Sequence, residues 1–533
     1  MRHGLWRSGE PYIWLTAGAL ATTLLMVGGL LTIIVVNAAG FFWPSEVVRL
    51  TLKDGTVLTG PVAERERVPG AADTWRLKLH VANRDLYAAD FVWVDERAVV
   101  RRERPADVAV MARSEWGLLI GRIVAVEENG TRLASGPRAW AEIERRLPAA
   151  GALRAEIRTL EKRDIGAINH EQERIRLRLR VLESRGVTAG AAVELARQQA
   201  ATLEAQYAAL QTRLTALRAR QTAVVVVAVE GGQMKALPLT QMLDVSFPNA
   251  MGPIGKIGRY AAGVWKFVSD NPRESNTEGG VFPAIFGTVM MVMLMSLMVT
   301  PLGVLAAFYL REYARQGVFV SAVRIAVNNL AGVPSIVFGV FGVSFFIYGV
   351  GGAIDRLFYA EALPTPTYGT GGILWASLTL ALLTIPVVIV ATEEGLAAIP
   401  GGTREASLAL GATKLETTLR VVLPAVLPSI LTGLILAMAR AAGEVAPLMI
   451  TGVVKLAPAL PVDSFWPFLH LDRKFMHLGF HIYDVGFQSP NVDAARPMVF
   501  ATTLLLLAIV VVLNLFAIAT RNRLRRKYAT AAV

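Results

Sequence analysis

The 533-residue sequence contains no cysteine, which excludes disulfides, thiol nucleophiles and cysteine-bound zinc. Charge is also scarce: charged residues make up 18% of the chain and hydrophobic residues 53%, with a mean hydropathy of +0.46. This composition is too apolar for an ordinary soluble domain and indicates membrane-spanning segments. The net charge of +12 is typical of a membrane protein with basic cytoplasmic loops. No basic stretch interleaved with aromatic residues is evident, so we expect no nucleic-acid partner.

Nucleotide-binding and metal-binding signatures are missing as well. The stretch GPIGK at 252–256 lacks the spacing of a phosphate loop, and G-x-x-x-x-G-K-[ST] occurs nowhere in the chain. His477 and His481 are four residues apart, but no third ligand of clear spacing accompanies them. We therefore expect no cofactor or metal bound by this chain, and any ATP hydrolysis must belong to another polypeptide.

Long apolar runs are what the sequence has in place of charge. A bilayer-spanning helix needs about 20 apolar residues. Six stretches qualify, and the first is interpreted as a retained anchor because it is longer than a signal-peptide core and aromatic residues follow it. The predicted spans are about 12–36, 282–310, 318–350, 371–390, 424–454 and 498–520.

The positions of the basic residues orient these spans. Lysine and arginine accumulate beside spans on the cytoplasmic side. The expected topology has both termini and residues 403–430 in the cytoplasm and residues 44–281 outside. Arg324, near the cytoplasmic end of the third span, is expected to extend toward the headgroups. The basic residues that support this topology are Arg2, Arg7, Arg311, Arg315 and those of the tail at 521–528.

The external block combines strand and helix patterns. Apolar alternation around Asp54-Gly55 predicts a β-hairpin. Apolar residues then recur with alternating spacings of three and four between 153 and 217, broken at Gly186 and Gly190, which predicts two antiparallel helices. The predicted division is an anchor at 1–43, an external β domain at 44–250 with a helical hairpin at about 150–222, an amphipathic linker at 251–281, a membrane core at 282–520 and a basic tail at 521–533.

A charged stretch, TREASLALGATKLETTLRVVLPAVLPSI at 403–430, separates two apolar runs. Thr403 is a candidate N-cap, Gly411 suits a left-handed position that ends a helix, and Thr413 with Glu416 fits a capping box. Pro424 is expected to mark re-entry into the membrane. The pattern predicts a cytoplasmic helix–turn–helix, with an amphipathic loop resting on headgroups as the alternative.

The same stretch resembles the EAA loop of ATP-binding-cassette (ABC) importer permeases. The resemblance rests on Glu405-Ala406-Ser407, then Gly411, then Leu423-Pro424 at the family's spacing, although Ser407 stands where the family has alanine. It implies that residues 403–424 are a coupling loop that docks on a separate ATPase subunit. The implied coupling residues are Arg404, Glu405, Ala406, Ser407, Gly411, Ala412, Lys414, Leu423 and Pro424.

Three further stretches are similar to phosphate-specific importer permeases, especially the second ("A") permease subunit. They are EGGVFPAIFGTVMM at 278–291, NNLAGVPSIVFGVFG at 328–342 and ARAAGEVAPLMITG at 439–452. The resemblance implies a mainly α membrane protein with six transmembrane helices of the type I ABC importer permease fold. The strand and helix patterns described above add an external α+β domain with an antiparallel coiled-coil hairpin between spans one and two. That external block is outside the resemblance, and its partner is left open.

The implied partners follow from the same family. They are a homologous permease subunit in a heterodimer, two copies of an ABC ATPase that hold ATP and Mg²⁺, a periplasmic phosphate-binding protein, phosphate itself and the lipid bilayer. The chain is then a multi-pass protein of the bacterial inner membrane and a transport subunit rather than an enzyme.

Two charges fall inside the predicted fifth span. Arg440 and Glu444 are four residues apart and would share one helical face. Each costs about 2.5–3.5 kcal/mol at mid-bilayer unless it is paired or faces a polar cavity. Together with Asn328, Asn329 and Ser335 they are candidates for an oxyanion pathway. The alternative is a structural ion pair with interhelical hydrogen bonds.

Other functions remain open at this point. The substrate of the permease is either phosphate or another oxyanion such as sulfate or molybdate. A membrane signalling receptor with an external coiled coil is the alternative from another class. It is disfavoured because the tail after the sixth span is short for an output domain.

Overall fold

The computed structural model describes residues 10–68, 74–87, 89–273, 276–489 and 492–529. Arg2, Arg7 and the last residues of the basic tail, 530–533, lie outside the described residues. The chain divides into two compact units. The helical unit comprises Met1–Phe42, Lys266–Tyr359 and Pro364–Val533, and the strand-rich unit comprises Trp43–Trp265 and Ala360–Leu363.

The elements have the following bounds. The α-helices are α1 (Glu10–Phe41), α2 (Pro137–Thr159), α3 (Ile165–Ser184), α4 (Ala191–Ala219), α5 (Pro253–Ser269), α6 (Phe282–Phe308), α7 (Val318–Leu330), α8 (Ser335–Phe341), α9 (Gly352–Phe358), α10 (Ile373–Ala398), α11 (Gly401–Ala409), α12 (Lys414–Thr417), α13 (Leu423–Gly443), α14 (Ala446–Thr451), α15 (Leu478–Tyr483) and α16 (Val492–Ala529). The strands are β1 (Val47–Leu52), β2 (Val57–Arg67), β3 (Trp75–His80), β4 (Phe91–Asp95), β5 (Val99–Glu103), β6 (Val108–Arg113), β7 (Leu118–Glu128), β8 (Thr131–Ser135), β9 (Ala223–Ala228), β10 (Met234–Pro238), β11 (Met242–Ser246), β12 (Pro272–Arg273) and β13 (Glu278–Gly279). Wider π-helical turns at Leu160–Asp164, Tyr309–Tyr313, Gly342–Gly351, Thr418–Val422 and Asp484–Gln488 continue several of the helices.

Within the described residues, six helices are long and apolar enough to cross a membrane. This confirms the predicted number of spans. We number them one to six in chain order: Glu10–Phe41, Phe282–Tyr313, Ser335–Phe358, Ile373–Ala398, Lys414–Gly443 and Val492–Arg526. Spans one, two, four and six contain or nearly contain the predicted segments, whereas the predicted bounds of spans three and five are wrong.

The predicted third span is divided in two. Helix α7 ends at Leu330, and the next helix begins at Ser335, so the span does not start at residue 318. Gly332 and Pro334 explain the break, because proline disfavours helical backbone at the residue before it and glycine weakens helix. Arg324 therefore lies in the short helix α7 and not inside a span.

The fifth span lies about ten residues closer to the N-terminus than the predicted segment. It starts at Lys414 and ends at Gly443, whereas the expected segment was 424–454. The chain remains helical through Pro424 because a π-helical turn, Thr418–Val422, precedes the proline and relieves its clash with the preceding turn. At its C-terminal end the helix stops at Gly443, and the next residue, Glu444, has an extended backbone with ψ of 135°.

Helix α10 is the centre of the helical unit. In its most apolar window 67% of the residues are buried, more than in any other of the six spans. Small residues allow its neighbours to approach closely: a Cβ added to Gly303 of α6 would lie 2.7 Å from the Val388 side chain, and one added to Gly433 of α13 would lie 2.7 Å from Ala391. Such close backbone approach is how helices associate in a membrane, where the hydrophobic effect supplies little force.

The strand-rich unit contains two antiparallel sheets. One has the order β4-β3-β2-β1-β5, and the other has the order β10-β9-β7-β6-β11 with β8 also paired to β7. In the first sheet Leu50 of β1 pairs with Leu58 of β2 across the turn that holds Gly55 at φ +82°. This confirms the hairpin predicted at Asp54-Gly55.

A long helical hairpin leaves and re-enters the second sheet. Helices α2 and α3 run on through the π-helical turn Leu160–Asp164, and α4 packs against them through a buried cluster that includes Ile157, Leu160, Leu214 and Leu217. The first helix begins at Pro137, earlier than the predicted start near residue 150. Its flanking strands, β8 and β9, both pair with β7, so the hairpin connects the two strands that lie on either side of β7.

Cationic side chains contact aromatic rings at several places in the first sheet. The Arg65 guanidinium lies 4.5 Å from the Trp75 ring and that of Arg76 lies 4.3 Å from the Trp93 ring. The linear sequence hides this arrangement because the pairs form across strands. Arg65 and Trp75 lie on one face of the sheet, and Arg76 and Trp93 lie on the other. Arg65 is paired with Glu96, and Arg76 is paired with Glu66.

Candidate functional site

The coupling element, residues 401–423, is a helix, a turn and a second helix. Gly411 follows α11 with φ of +88°, a left-handed conformation that terminates the helix. The Glu416 backbone N–H donates to Thr413 Oγ1 at 3.2 Å, and the Thr413 N–H donates to Glu416 Oε2 at 2.9 Å. The glycine turn and the capping box are thus confirmed.

The predicted start of the first helix is wrong. Thr403 is not its N-cap, because α11 already begins at Gly401 after Pro400. Pro400 disfavours helical backbone at Ile399, which has ψ of 125° and separates α10 from α11. The proline, rather than the threonine, therefore decides where the coupling element begins.

Arg404 makes an ion pair and several hydrogen bonds within the chain. Its Nη2 donates to Glu312 Oε1 at 2.8 Å and to the Leu396 carbonyl at 2.8 Å, and its Nη1 donates to the Ile399 carbonyl at 3.0 Å. The side chains of Arg404 and Glu312 are 22% and 14% exposed. Arg404 accordingly holds α11 against the ends of spans two and four.

The second half of the element is held in the same way. Lys414 Nζ lies 4.7 Å from the centre of the Tyr313 ring, and the Tyr313 hydroxyl is 3.4 Å from Thr418 Oγ1. Ser407 Oγ and Thr417 Oγ1 are 2.9 Å apart, which joins the two helices of the element to each other. Leu423 packs against the buried cluster around Phe308 and Val426.

A separate part of the element is left exposed. Glu405, Ala406 and Gly411 are exposed, and so are the large apolar side chains of Leu410 (90%) and Leu415 (59%). Exposed apolar side chains beside a charged one are typical of a surface that another protein covers. The predicted coupling residues therefore divide into an inward group that includes Arg404, Ser407 and Leu423, and an outward group that includes Glu405, Ala406 and Gly411.

Arg324 is paired and does not extend toward headgroups as expected. Its Nε donates to Glu393 Oε1 at 3.1 Å, its Nη1 to Gln316 Oε1 at 3.0 Å and its Nη2 to the Leu310 carbonyl at 3.3 Å. This network joins α7, span four and the chain that follows span two. Glu312, Tyr313 and Glu393 are residues that the sequence reasoning missed, since only their tertiary partners mark them.

Arg440 and Glu444 do form an ion pair, but not on one helical face. Arg440 Nε and Glu444 Oε1 are 3.5 Å apart, and the side chains are 33% and 21% exposed. Because span five ends at Gly443, Glu444 lies in the extended link to α14. The pair thus lies at the end of the span-five helix, at the break between Gly443 and the start of α14.

Asn328, Asn329 and Ser335 flank the other break, between α7 and α8. The Asn328 and Asn329 side chains are exposed, and neither they nor Ser335 make a side-chain hydrogen bond to Arg440 or Glu444 within the part of the chain that the structure describes. The helices that follow the two breaks pack tightly, since a Cβ on Gly339 of α8 would lie 2.8 Å from Pro447 Cα of α14. The two breaks are therefore neighbours although their polar side chains do not bond.

The segment after span five buries several titratable groups. Asp484 is 2% exposed and lies 3.1 Å from Lys455 Nζ. Burial lowers the pKa of His477 to about 3 and, as the largest cause, lowers the pKa of His481 to about 4, so both are neutral. In the described residues, both ring nitrogens of His481 and Nε2 of His477 are buried without a hydrogen-bond partner.

Comparison with known proteins places these features in a family. Residues 299–528 match the family described as binding-protein-dependent transport system inner membrane component. The phosphate transport system permease protein PstA of Mycobacterium leprae is 34% identical over 244 residues, 46% of this chain and 71% of that protein. PstA of Yersinia pestis is 31% identical over 252 residues, 47% of this chain and 75% of that protein.

A solved bacterial ABC transporter for alginate import aligns over 47% of this chain and 80% of that chain, at 15% identity and a TM-score of 0.33, a similarity too low to bear on the fold. Six spans, an EAA-like coupling element and the family match define an ABC importer permease. The chain belongs to the phosphate transport system permease family. The matched range 299–528 does not include residues 43–265 of the strand-rich unit.

Proposed function

We propose that this chain is the membrane permease subunit of an ATP-driven importer that moves inorganic phosphate into the cytoplasm. The observation that carries the proposal is the coupling element: a left-handed glycine and a capping box build two short helices whose outward residues are free to dock. Relatives that share a third of their residues with this chain over most of their own length are named as phosphate permeases. Their name favours phosphate over sulfate or molybdate.

The exposed part of the element is the proposed docking surface for an ABC ATPase. Glu405 supplies a charge, and Leu410 supplies apolar area that a partner groove would remove from water. Two copies of the ATPase would hold ATP and Mg²⁺, and a homologous permease subunit would complete the pore. A periplasmic phosphate-binding protein would deliver substrate on the other side of the inner membrane. This orientation places both termini in the cytoplasm.

The proposed substrate pathway uses the two helix breaks. Arg440 can contact an oxyanion through charge-assisted hydrogen bonds, and Glu444 beside it keeps that contact from becoming too tight. Ser335, at the start of span three, adds a hydroxyl and backbone N–H groups where the helix dipole favours an anion. Asn328 and Asn329 lie on the other side of the same break. No covalent chemistry by this chain is part of the proposal.

The test is uptake by proteoliposomes that contain the assembled transporter. Radiolabelled phosphate should accumulate only when ATP is inside the vesicles and the binding protein is outside. Glu405→Lys should abolish this accumulation because it reverses the charge of the docking surface. Glu194→Lys, which changes an exposed glutamate of α4 in the strand-rich unit, is the matched control. Unaltered uptake by Glu405→Lys would contradict the docking surface, and sulfate uptake exceeding phosphate uptake would contradict the substrate.

A further inference from the structure

Both helices of the coupling element contact one short piece of the chain, the π-helical turn Tyr309–Tyr313 at the end of span two. Glu312 accepts two hydrogen bonds from Arg404, whose Nε and Nη2 lie 3.1 and 2.8 Å from Glu312 Oε1. The next residue, Tyr313, contacts Lys414 and Thr418 of the second helix. Adjacent residues of span two therefore hold different halves of the element.

The contact between Glu312 and Arg404 is more than a surface ion pair. Both side chains are mostly shielded from water, and Arg404 also bonds to two carbonyls at the end of span four and the start of the link after it. Loss of one partner of a shielded pair leaves an uncompensated charge, so such a pair resists opening. The planar guanidinium satisfies all of these acceptors at once, which a lysine ammonium would not do.

The remaining contacts make the element a single body. The Ser407–Thr417 contact joins α11 to the second helix, and Gly411 and the capping box fix the turn between them. The second helix continues without a break into span five. A displacement applied at the exposed Glu405 and Leu410 is thus transmitted to spans two and five together.

We propose that Glu312, with Tyr313, is the positioning residue that links the coupling element to span two, and that the Glu312–Arg404 pair stays closed throughout transport. The proposal rests on the proposed function, because it presumes that an ATPase moves the element. Without the link, docking and ATP hydrolysis continue while span two no longer follows. The expected signature is therefore a loss of phosphate moved per ATP hydrolysed.

Glu312→Gln is the primary test, since it removes the charge and keeps the shape. In proteoliposomes, phosphate uptake should fall by about tenfold or more, as for breaking one side of a shielded ion pair, while ATP hydrolysis is retained. Arg311→Gln is the matched control: Arg311 belongs to the same turn, is exposed and has no ion pair in the described residues, so its uptake should equal that of the wild type. Equal uptake by Glu312→Gln and wild type would overturn the link.

A cross-link distinguishes a link from a residue needed only for folding. The chain has no cysteine, so Glu312→Cys/Arg404→Cys introduces the only two thiols of this chain. The double variant should hydrolyse ATP without uptake, and a short bifunctional thiol reagent should restore uptake by joining the two positions. If the cross-linked protein stays uncoupled, or is blocked because the pair must open, the proposal is wrong.

Tyr313→Leu provides a test that does not disturb the ion pair, in case Glu312→Gln fails to assemble. Losing a cation–π contact should lower phosphate moved per ATP by about two- to fivefold, and an unchanged ratio would overturn the role of Tyr313 and of the turn.

The failure of the proposed function looks different. In that case the wild-type transporter itself does not accumulate phosphate, whereas failure of this link leaves the wild type active and the variants equal to it.

Discussion

Two regions of the helical unit differ in how far their polar side chains are exposed to water. The coupling element, residues 401–423, leaves Glu405 and Leu410 exposed and pairs Arg404 with Glu312 at the end of span two. The segment after span five, residues 444–489, instead buries Asp484 and three histidines, His470, His477 and His481. The first region is built from local motifs that survive exposure to water, whereas the second depends on packing that excludes water. The two regions therefore depend on different kinds of stability.

The largest effect is expected where the coupling element depends on one backbone conformation. Gly411→Val places a β-branched residue at φ +88°, a conformation that costs an ordinary L-residue roughly 1–2 kcal/mol and valine more. Phosphate uptake by the reconstituted transporter should fall by more than about tenfold. Gly317→Ala is the control, because the backbone of Gly317 is extended and its surroundings are open. Wild-type uptake by Gly411→Val would show that the left-handed turn is dispensable.

The next effect concerns the helix break after span five. Arg440→Gln should lower phosphate uptake by about tenfold with assembly intact, since a hydrogen bond to a charged group contributes about 1.5–3 kcal/mol. The double variant Arg440→Gln/Glu444→Gln separates the alternatives. An arginine that contacts phosphate predicts that the double variant stays low, whereas a purely structural ion pair predicts that removing both charges restores uptake.

Acid should weaken the buried segment and leave the coupling element less affected. His477 and His481 have folded pKa values of about 3 and 4, below the ordinary value near 6.5, so the unfolded chain binds more protons between pH 4 and 6.5. The free energy of unfolding is therefore highest above pH 6.5 and falls on acidification, by up to about 1.4 kcal/mol per pH unit for each histidine. Thermal unfolding in detergent at pH 7 and pH 5 measures the loss.

The variant His481→Phe should reduce that acid sensitivity, because phenylalanine fills a similar volume and does not titrate. Neither ring nitrogen of His481 has a hydrogen-bond partner in the described residues, so the substitution removes no bond. An equal drop of the unfolding midpoint for wild type and variant would contradict the assignment of a neutral buried histidine.

The smallest effect is expected at the cap of the second coupling helix. Thr413→Ala removes the capping box and should cost about 1 kcal/mol locally, with a few-fold loss of uptake. Thr403→Ala should have a smaller effect, because Thr403 lies inside the first turn of α11 and does not cap it. A larger loss of uptake for Thr403→Ala than for Thr413→Ala would support the predicted role of Thr403 as the N-cap of the first helix.

Much of the helical unit was predictable because membrane spans and caps obey local rules. Apolar length alone predicts six spans, and the spacing of Thr413 and Glu416 predicts their reciprocal hydrogen bonds. Several of the errors fall at prolines. Pro334 and Pro400 separate helices, whereas Pro301, Pro386 and Pro428 lie inside helices. Local propensity does not reveal which of these prolines ends a helix.

Partners of charged residues were the part that could not be predicted. Arg404 looked like a docking residue and Arg324 like a headgroup anchor, yet both are paired with glutamates far away in the chain. The cation–aromatic contacts of the first sheet were missed for the same reason, since Arg76 and Trp93 meet only across paired strands.

The sequence by itself determined the number of spans, the glycine turn, the capping box and, through its relatives, the family. The first three depend on residues close together in the chain. Tertiary structure alone decided which side of the coupling element is free: Glu312 draws Arg404 inward and leaves Glu405 and Leu410 exposed. The physical reason is that an ion pair requires the two charges to be close in space. Glu312 of span two approaches Arg404 of the coupling element only when the helices pack.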